Sequence, residues 1–200
     1  MHRQIFENMQ IIGVTGHRDL DETDWPALKQ IVNACMTEIE LIQPARKWCL
    51  ITGLAAGADQ LVAECALERG WTLHAVLASP EESFASTMST LDAYKLRNDL
   101  LPKCAEVTIV TDTEAEEGSE YVAVACLIVE RSETLIALWD GMASRGAGGT
   151  ADTLTRYLEA KPTKFSQRKL KKTVYWVRTR RRGQPAVQFG PTRKKIEIQA

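Results

Sequence analysis

Three glycine-rich loops contain the residues whose types and spacing are best suited to chemistry. Their sequences are TGHRD at residues 15–19, TGLAAGAD at residues 52–59 and DGMASRGAGGTAD at residues 140–152. Each follows a short apolar run of the kind that forms a buried strand, and the second and third lead into a helix. Glycine lets a ligand approach the backbone, and the N–H groups at a helix start attract anions. The three loops therefore predict a binding site for a phosphate-bearing ligand.

Charged side chains within these loops strengthen that prediction, although each has an ordinary structural alternative. The guanidinium groups of Arg18 and Arg145 can pair with two phosphate oxygens at once. Asp59 and Asp152 offer acceptors at helix starts, where the alternative is an N-cap role, and for Asp152 that alternative is strong. His17 can hydrogen-bond a ligand or transfer a proton, whereas packing against its own loop is the more common role of such a residue. The loops thus carry binding groups, and no catalytic residue is assigned.

The segments between the loops predict a fold in which strands and helices alternate. Strands are expected at residues 10–15, 48–52, 71–78, 105–111, 134–139 and 173–178. They are continuously apolar, which is typical of a parallel sheet buried on both faces. We therefore predict an α/β fold: a Rossmann-like, doubly wound, mainly parallel sheet with helices on both faces, plus a basic C-terminal extension. The three loops then share the sheet edge at which such folds bind ligands.

The predicted ligand-binding set takes its members from all three loops. It comprises Thr15, Gly16, His17, Arg18, Gly53, Leu54, Ala55, Gly57, Asp59, Asp140, Gly141, Arg145, Gly148, Gly149 and Thr150. Backbone amides at Gly16, Gly57 and residues 148–150 are expected to hold phosphates. Trp139, which precedes the third loop, could stack on a base, although a core position at the strand end is favoured.

Several other kinds of chemistry lack their sequence patterns here. The chain contains no GxGxxG after its first strand, no GxxxxGK[ST] and no GxSxG, so neither ordinary dinucleotide binding, nor a P-loop NTPase, nor a nucleophile elbow is indicated. Three histidines and five cysteines show no metal-ligand spacing and no CxxC pair, so no metal site and no cofactor are predicted. The cysteines are interpreted as reduced core residues of a cytoplasmic protein, with neither a signal peptide nor a membrane span.

Charge is distributed unevenly along the chain. Residues 161–200 contain 13 Lys and Arg and one acidic residue, Glu197, whereas residues 1–160 contain 12 Lys and Arg and 25 Asp and Glu. We divide the chain into a nucleotide-binding domain, residues 1–178, and a basic tail or small hairpin, residues 179–200. The favoured interpretation is that the basic part lies on the acidic body of its own or a sister subunit. The alternative is a nucleic-acid-binding arm that uses residues 180–182 and 194–195.

Three segments together resemble the SLOG superfamily: IIGVTGHRDL, ITGLAAGADQLVAECALERGWTLHAVL and ETLIALWDG with the following RGAGGTAD. This group includes DNA processing protein A, the "lonely guy" phosphoribohydrolases and nucleotide-sensing domains of bacterial defence systems. The resemblance covers roughly residues 10–160, and its most specific parts are residues 52–59 and residues 148–150. It implies a Rossmann-like fold that binds a nucleotide or nucleotide derivative across the strand ends.

The phosphoribohydrolases of this superfamily carry a PGGxGTxxE loop, in which the Glu and an upstream Arg catalyse cleavage of the N-glycosidic bond. Laid on this chain, the pattern puts Arg145 at the Pro and Thr153 at the Glu. Asp152 comes one residue early and is one methylene shorter, and no segment resembles the one that supplies the upstream arginine. The resemblance therefore implies a retained phosphate-binding loop that lacks the hydrolytic acid.

The favoured hypothesis is a cytoplasmic homo-oligomer that binds or senses a nucleotide-derived small molecule, such as an ADP-ribose-like or cyclic nucleotide signal, without catalysis. One alternative is an N-glycosidase or phosphoribohydrolase that acts on nucleoside monophosphates through Asp59 or Asp152. A second alternative is binding of single-stranded nucleic acid through the basic tail. No membrane partner is expected.

Overall fold

A single sheet of seven strands forms the centre of the molecule. The computed structural model describes residues 9–42, 47–110, 119–143, 146–159, 172–186 and 191–198. The strands are β1 (Met9–Gly16), β2 (Lys47–Thr52), β3 (Thr72–Leu77), β4 (Cys104–Ile109), β5 (Thr134–Trp139), β6 (Lys172–Arg178) and β7 (Thr192–Ile198). They lie in the order β4-β3-β2-β1-β5-β6-β7, with β7 antiparallel to β6 and every other pair parallel. The predicted mainly parallel sheet is confirmed.

Helices cover both faces of this sheet, as predicted. They are α1 (Trp25–Ile42), α2 (Ala58–Glu68), α3 (Glu81–Ser86), α4 (Thr90–Tyr94), α5 (Ser119–Arg131) and α6 (Thr150–Glu159). Successive side chains of a strand point to opposite faces, so positions 13 and 16 of β1 face opposite ways. A Cβ on Gly13 would meet Ile128 of α5, whereas a Cβ on Gly16 would meet Ala58 of α2. The helices α5 and α2 therefore lie on opposite sides of β1.

One helix that the sequence predicts as continuous, from about residue 79 to residue 101, is interrupted. After α3, the Thr87 hydroxyl donates to the carbonyl of Phe84, and Ser89 then caps a new helix by accepting from the N–H of Asp92. A π-helical turn, Lys95–Leu100, and a short 3-10 turn, Leu101–Lys103, follow α4. The apolar spacing alone does not reveal these breaks, because the Ser and Thr hydroxyls that satisfy the free backbone groups act locally.

The C-terminal segment forms part of the central sheet. Strand β7 pairs with β6 along its whole length, from Arg178 opposite Thr192 to Lys172 opposite Ile198. The segment before β7 crosses to the start of the chain, where Arg181 forms an isolated bridge with Leu20 and the N–H of Arg182 donates to the carbonyl of Asp19. The basic end of the chain is thereby brought to the loop that follows β1.

Two negative findings apply to the part of the chain that the structure describes. None of its helices combines the length and the apolar character that a bilayer span requires. It also contains no group of three or more His, Cys, Asp or Glu side chains arranged to hold a metal ion.

Candidate functional site

A cavity of about 410 Å³ opens at the carboxyl ends of β1 and β5. The strand order reverses between these neighbours, because β1 continues to β2 on one side while β5 leads to β6 on the other. Folds of this class bind ligands at such a reversal. The cavity is lined by ten members of the predicted set: Thr15, Gly16, His17, Arg18, Gly53, Ala55, Asp59, Gly148, Gly149 and Thr150.

The remaining members of the predicted set are placed differently. Leu54 has a positive φ of 51° that turns its side chain into the core, where it is fully buried. Gly141 packs beside the Trp176 ring. The cavity is not lined by Gly141, Leu54, Gly57 or Asp140. Arg145 lies outside the described residues. A glycine or a strand end in the sequence marks a loop, whereas the direction of each side chain follows from the backbone angles of that loop.

The first two loops are packed directly against each other at glycines. The N–H of Ala58 donates to the carbonyl of His17 at 3.0 Å. Gly57 has a φ of +78°, and a Cβ there would lie 2.5 Å from the same carbonyl oxygen. A Cβ on Gly16 would lie 2.3 Å from the Cβ of Ala58. These two glycines therefore allow the start of α2 to approach β1, and Gly57 has a structural role where the sequence suggested phosphate binding.

The carboxyl group of Asp59 reaches from α2 into the cavity while it holds its own loop. Its Oδ2 accepts a hydrogen bond from the N–H of Ala55 at 3.3 Å. The residue is 7% exposed, and burial raises the pKa of its carboxyl group to about 7, although the N–H of Ala55 and the charge of Arg18 act in the opposite direction. Near neutral pH, Asp59 can thus act either as a hydrogen-bond donor or as an anion.

The third loop uses much of its hydrogen-bonding capacity internally. The N–H of Gly148 donates to Oδ2 of Asp152 at 2.9 Å, and the same oxygen accepts from Nε of Arg156. The Thr153 hydroxyl donates to the carbonyl of Gly149 at 3.0 Å. Asp152 therefore has a structural role, although as the third residue of α6 it reaches back to the loop and is not the N-cap. The N–H of Gly148, which the sequence assigns to a phosphate, is bonded to Asp152 in this structure. Thr153 stands where the phosphoribohydrolase pattern has its Glu, and its hydroxyl is hydrogen-bonded to the backbone of its own loop.

A buried carboxylate, Asp140, joins the loops behind the cavity wall. Its Oδ1 accepts from the N–H of Met142 at 3.0 Å and lies 3.0 Å from Nε2 of His17. Its Oδ2 accepts from Nε of Arg181 and from Nε2 of Gln184, each at 3.2 Å. These donors outweigh burial and lower the pKa of Asp140 to about 2. Asp140 is thus saturated by protein groups, which explains why it does not face a ligand.

The side chain of His17 is held in place by this arrangement. It is 2% exposed. Its Nε2 accepts from the backbone N–H of Asp140 at 3.0 Å, and its Nδ1 lies 3.5 Å from the hydroxyl of Thr150. Burial lowers the pKa of His17, the charge of Arg181 lowers it further, and Asp140 opposes both. The imidazole of His17 is therefore neutral, and it connects the first loop to the third.

Arg18 lines the cavity and is anchored to the segment that follows α3. Its Nη2 donates to both the carbonyl and the hydroxyl of Thr87, each at 3.0 Å, and the residue is exposed. A guanidinium group anchored through one nitrogen keeps its remaining N–H groups available to an anion. This geometry fits the role that the sequence suggests for Arg18.

Several lining residues are missed by reasoning from the glycine loops. An apolar wall is formed by β1, β3, α3 and α5, and it includes Val14, Val76, Phe84, Tyr121, Val124 and Ile128. The helical spacing of the α5 residues predicts only that they are buried. Trp139 lines the cavity, and its ring centroid lies 5.5 Å from that of Trp176 with the two rings tilted by 42°.

Two charged lining residues, Asp19 and Arg181, were also missed. The guanidinium of Arg181 donates from Nη1 to Oδ1 of Asp19 at 2.8 Å and from Nε to Asp140. In the sequence Arg181 is the middle of three consecutive arginines, which indicates a charged surface rather than a cavity wall. No local signal separates it from its neighbours.

Solved structures similar to this chain include two examples of DNA processing protein A, one of the proteins that the sequence motifs resemble. The structure from Streptococcus pneumoniae is 17% identical, with a TM-score of 0.49, over 76% of this chain and 47% of its own length. The structure from Helicobacter pylori, described for its single-stranded DNA binding mode, is 14% identical, with a TM-score of 0.47, over 78% of this chain and 65% of its own. This chain thus spans about half to two thirds of those proteins.

A third similar structure is TM1055, at 12% identity and a TM-score of 0.46, over 75% of this chain and 69% of its own. No family model and no curated protein matches the chain. Because every one of these TM-scores is below 0.5, the similarities assign no activity to this chain.

Proposed function

We propose that this protein binds a nucleotide or a nucleotide-derived small molecule, such as an ADP-ribose-like or cyclic nucleotide signal, in the cavity above β1 and β5. The observation that carries the proposal is the composition of the cavity, which joins an apolar wall to glycine loops and a guanidinium group at the strand-order reversal. Nucleotides have the same two parts, since a planar base is largely apolar and a phosphate is anionic.

The two ends of the cavity differ in what they can recognise. The aliphatic and aromatic side chains of α5 and β3 offer a dry surface for a base, to which Tyr121 and Trp139 can add ring contacts. Arg18 and the small residues of the third loop offer a charged, open side for phosphate. Asp59, which can donate or accept, suits the polar edge of a base or a ribose hydroxyl.

Isothermal titration calorimetry against AMP, GMP, CMP, UMP, NAD, ADP-ribose and cyclic AMP tests this proposal. We expect the chain to bind at least one of these compounds, and Arg18→Gln to weaken that binding about 10-fold, because a charged hydrogen bond contributes roughly 1.5–3 kcal/mol. Arg97→Gln is the matched control, since Arg97 is paired with Glu81 and does not line the cavity. Absence of binding to every compound would refute the proposal.

A second candidate function is hydrolysis of an N-glycosidic bond in the same cavity. Asp59 favours it, because a buried carboxyl group whose pKa lies near 7 can transfer a proton at neutral pH. Incubation with the four nucleoside monophosphates and NAD, followed by chromatography for free base, tests it. We expect Asp59→Asn to abolish any release of base if this candidate is correct. No free base from the unaltered protein would rule it out in favour of binding alone.

A further inference from the structure

The C-terminal segment contributes a charged wall to a cavity that is otherwise built from the β1, β2 and β5 loops and the helices beside them. Arg181 lines the cavity, although it lies 162 residues from its ion-pair partner Asp19 in the chain. Its side chain is 19% exposed, and Nε is committed to the buried carboxylate of Asp140. The guanidinium plane is thereby held at a fixed position, which reduces the entropy that a ligand contact would lose.

The remaining nitrogens of Arg181 are less firmly committed. Nη1 donates to Asp19, whose side chain is 45% exposed, and such half-exposed pairs contribute little to stability. Nη2 has no hydrogen-bond partner among the residues that the structure describes. Asp140 therefore fixes one side of the guanidinium, while its other side faces the cavity and an exposed carboxylate.

From this arrangement we infer that Arg181 contacts the anionic group of the ligand and sets the preference of the site for phosphorylated over unphosphorylated nucleosides. The inference rests on the proposed function and names the charge class of its ligand. Asp19 has the opposite effect, because its carboxylate competes with the ligand anion for Nη1 and repels it. The segment that carries Arg181 is then part of the binding site rather than an accessory tail.

The neighbouring arginines do not share this role. Arg182 pairs with Glu22 on the surface, and both side chains are largely exposed. Arg180 pairs with Asp21 and Asp24, and neither arginine lines the cavity. Arg182 thus offers a control of the same residue type, one position along the chain.

The test compares AMP, ADP-ribose and adenosine as probes in calorimetry with the full chain. We expect the unaltered protein to bind AMP or ADP-ribose more tightly than adenosine. Arg181→Gln should weaken binding of the phosphorylated probe at least 10-fold and leave adenosine within 2-fold. Arg181→Lys should keep part of the preference, because it retains the charge without the planar set of donors. Arg182→Gln should bind all three probes as the unaltered protein does.

Asp19→Asn separates ligand contact from a purely structural role. Both Asp19→Asn and Arg181→Gln break the Arg181–Asp19 ion pair, so a structural role of that pair would make the two variants behave alike. Loss of the Asp140 contact, which only Arg181→Gln causes, should instead weaken adenosine and its phosphorylated forms equally. Ligand contact predicts opposite effects, because Asp19→Asn should then bind the phosphorylated probe several-fold more tightly than the unaltered protein does.

Three results would overturn the inference alone: unchanged preference in Arg181→Gln, equal loss of adenosine and its phosphorylated forms, or parallel effects of the Arg181 and Asp19 variants. If the unaltered protein binds neither AMP nor ADP-ribose, the proposed function fails for these ligands and the inference fails with it. The two failures are therefore distinguishable in one set of titrations.

Discussion

Asp59 and Asp140 are buried carboxyl groups at the same edge of the sheet, yet their pKa values move in opposite directions. At Asp59 the loss of hydration dominates over hydrogen bonds with the backbone of residues 53 and 55 and with Thr52, so its pKa rises to about 7. Asp140 accepts from the N–H of Met142, the guanidinium of Arg181 and the amide of Gln184, so its pKa falls to about 2. The balance between the loss of hydration and the donors and charges around each group decides its charge at neutral pH.

The pH dependence of the free energy of unfolding should reveal the raised pKa of Asp59. Its pKa in the folded chain lies above the ordinary 3.8, so the folded state holds the proton more tightly, and this stability is lost as pH rises from about 4 through 7. A shift of about 3 pKa units corresponds to roughly 4 kcal/mol. Between pH 4 and pH 8, we expect the free energy of unfolding of Asp59→Asn to rise by about 4 kcal/mol relative to that of the unaltered protein. Urea unfolding at each pH measures this difference. A difference that does not change with pH would contradict the assignment.

The opposite sign is expected for Asp140. Because its folded pKa lies below 3.8, the carboxylate contributes stability above pH 4 that is lost as pH falls through 2. Asp140→Asn should lower the unfolding free energy by about 2.4 kcal/mol at pH 7, since the shift from 3.8 to about 2 is about 1.8 pKa units at roughly 1.36 kcal/mol each. The deficit should shrink towards pH 2. An equal deficit at pH 7 and pH 2.5 would show that the carboxylate charge is not its cause.

At the scale of elements, the site depends on how closely α2 approaches β1. The parallel sheet brings the strand ends together, but the loops meet only because small residues occupy the contact. Gly57 has a left-handed φ, and the carbonyl of His17 occupies the space that a side chain at position 57 would need. Any larger residue must therefore separate the first two loops. The cavity wall formed by those loops would move with them.

Two glycine substitutions isolate this effect. Gly57 and Gly70 have φ values of +78° and +75°, so alanine is strained to a similar degree at both. A Cβ on Gly70 meets nothing within 4 Å, whereas one on Gly57 lies 2.5 Å from the carbonyl oxygen of His17. We expect Gly70→Ala to cost about 1 kcal/mol of unfolding free energy and Gly57→Ala about 3 kcal/mol or more. Thermal and urea unfolding measure both, and equal losses would refute the proposed contact.

At the scale of the whole molecule, the described basic residues near the C-terminus neutralise the acidic body of the same chain. Arg180, Arg181 and Arg182 pair with carboxylates in residues 19–24, and Arg193 and Lys195 pair with Glu38 of α1. This agrees with the favoured interpretation of the uneven charge. An arm that binds nucleic acid would need these cations to leave their partners.

Binding of single-stranded DNA provides the corresponding prediction. We expect the double variant Arg180→Ala and Arg182→Ala to leave any affinity for a labelled oligonucleotide unchanged. Fluorescence anisotropy measures this affinity at about 50 to 200 mM salt, a range over which phosphate contacts are sensitive to salt. If both arginines contacted phosphates, the logarithmic salt dependence would fall by about 1.4. Such a fall, with unchanged melting temperature, would favour the nucleic-acid alternative.

Much of the architecture and the position of the candidate site could be predicted from the sequence. Apolar runs that end in glycine define parallel strands, and parallel strands necessarily place their following loops at one edge. This is why ten of the predicted residues line one cavity. Local patterns were sufficient because a strand, its end and the next helix start are each encoded by neighbouring residues.

What the tertiary structure alone decided is which side chains face that cavity. Leu54 turns into the core, Asp140 is occupied by three protein donors, and Arg181 reaches the site from the far end of the chain. The contact between Asp140 and His17 joins residues 123 positions apart, and that between Arg181 and Asp19 joins residues 162 apart. No local pattern contains such pairs, because burial and charge pairing depend on which elements the completed sheet brings together.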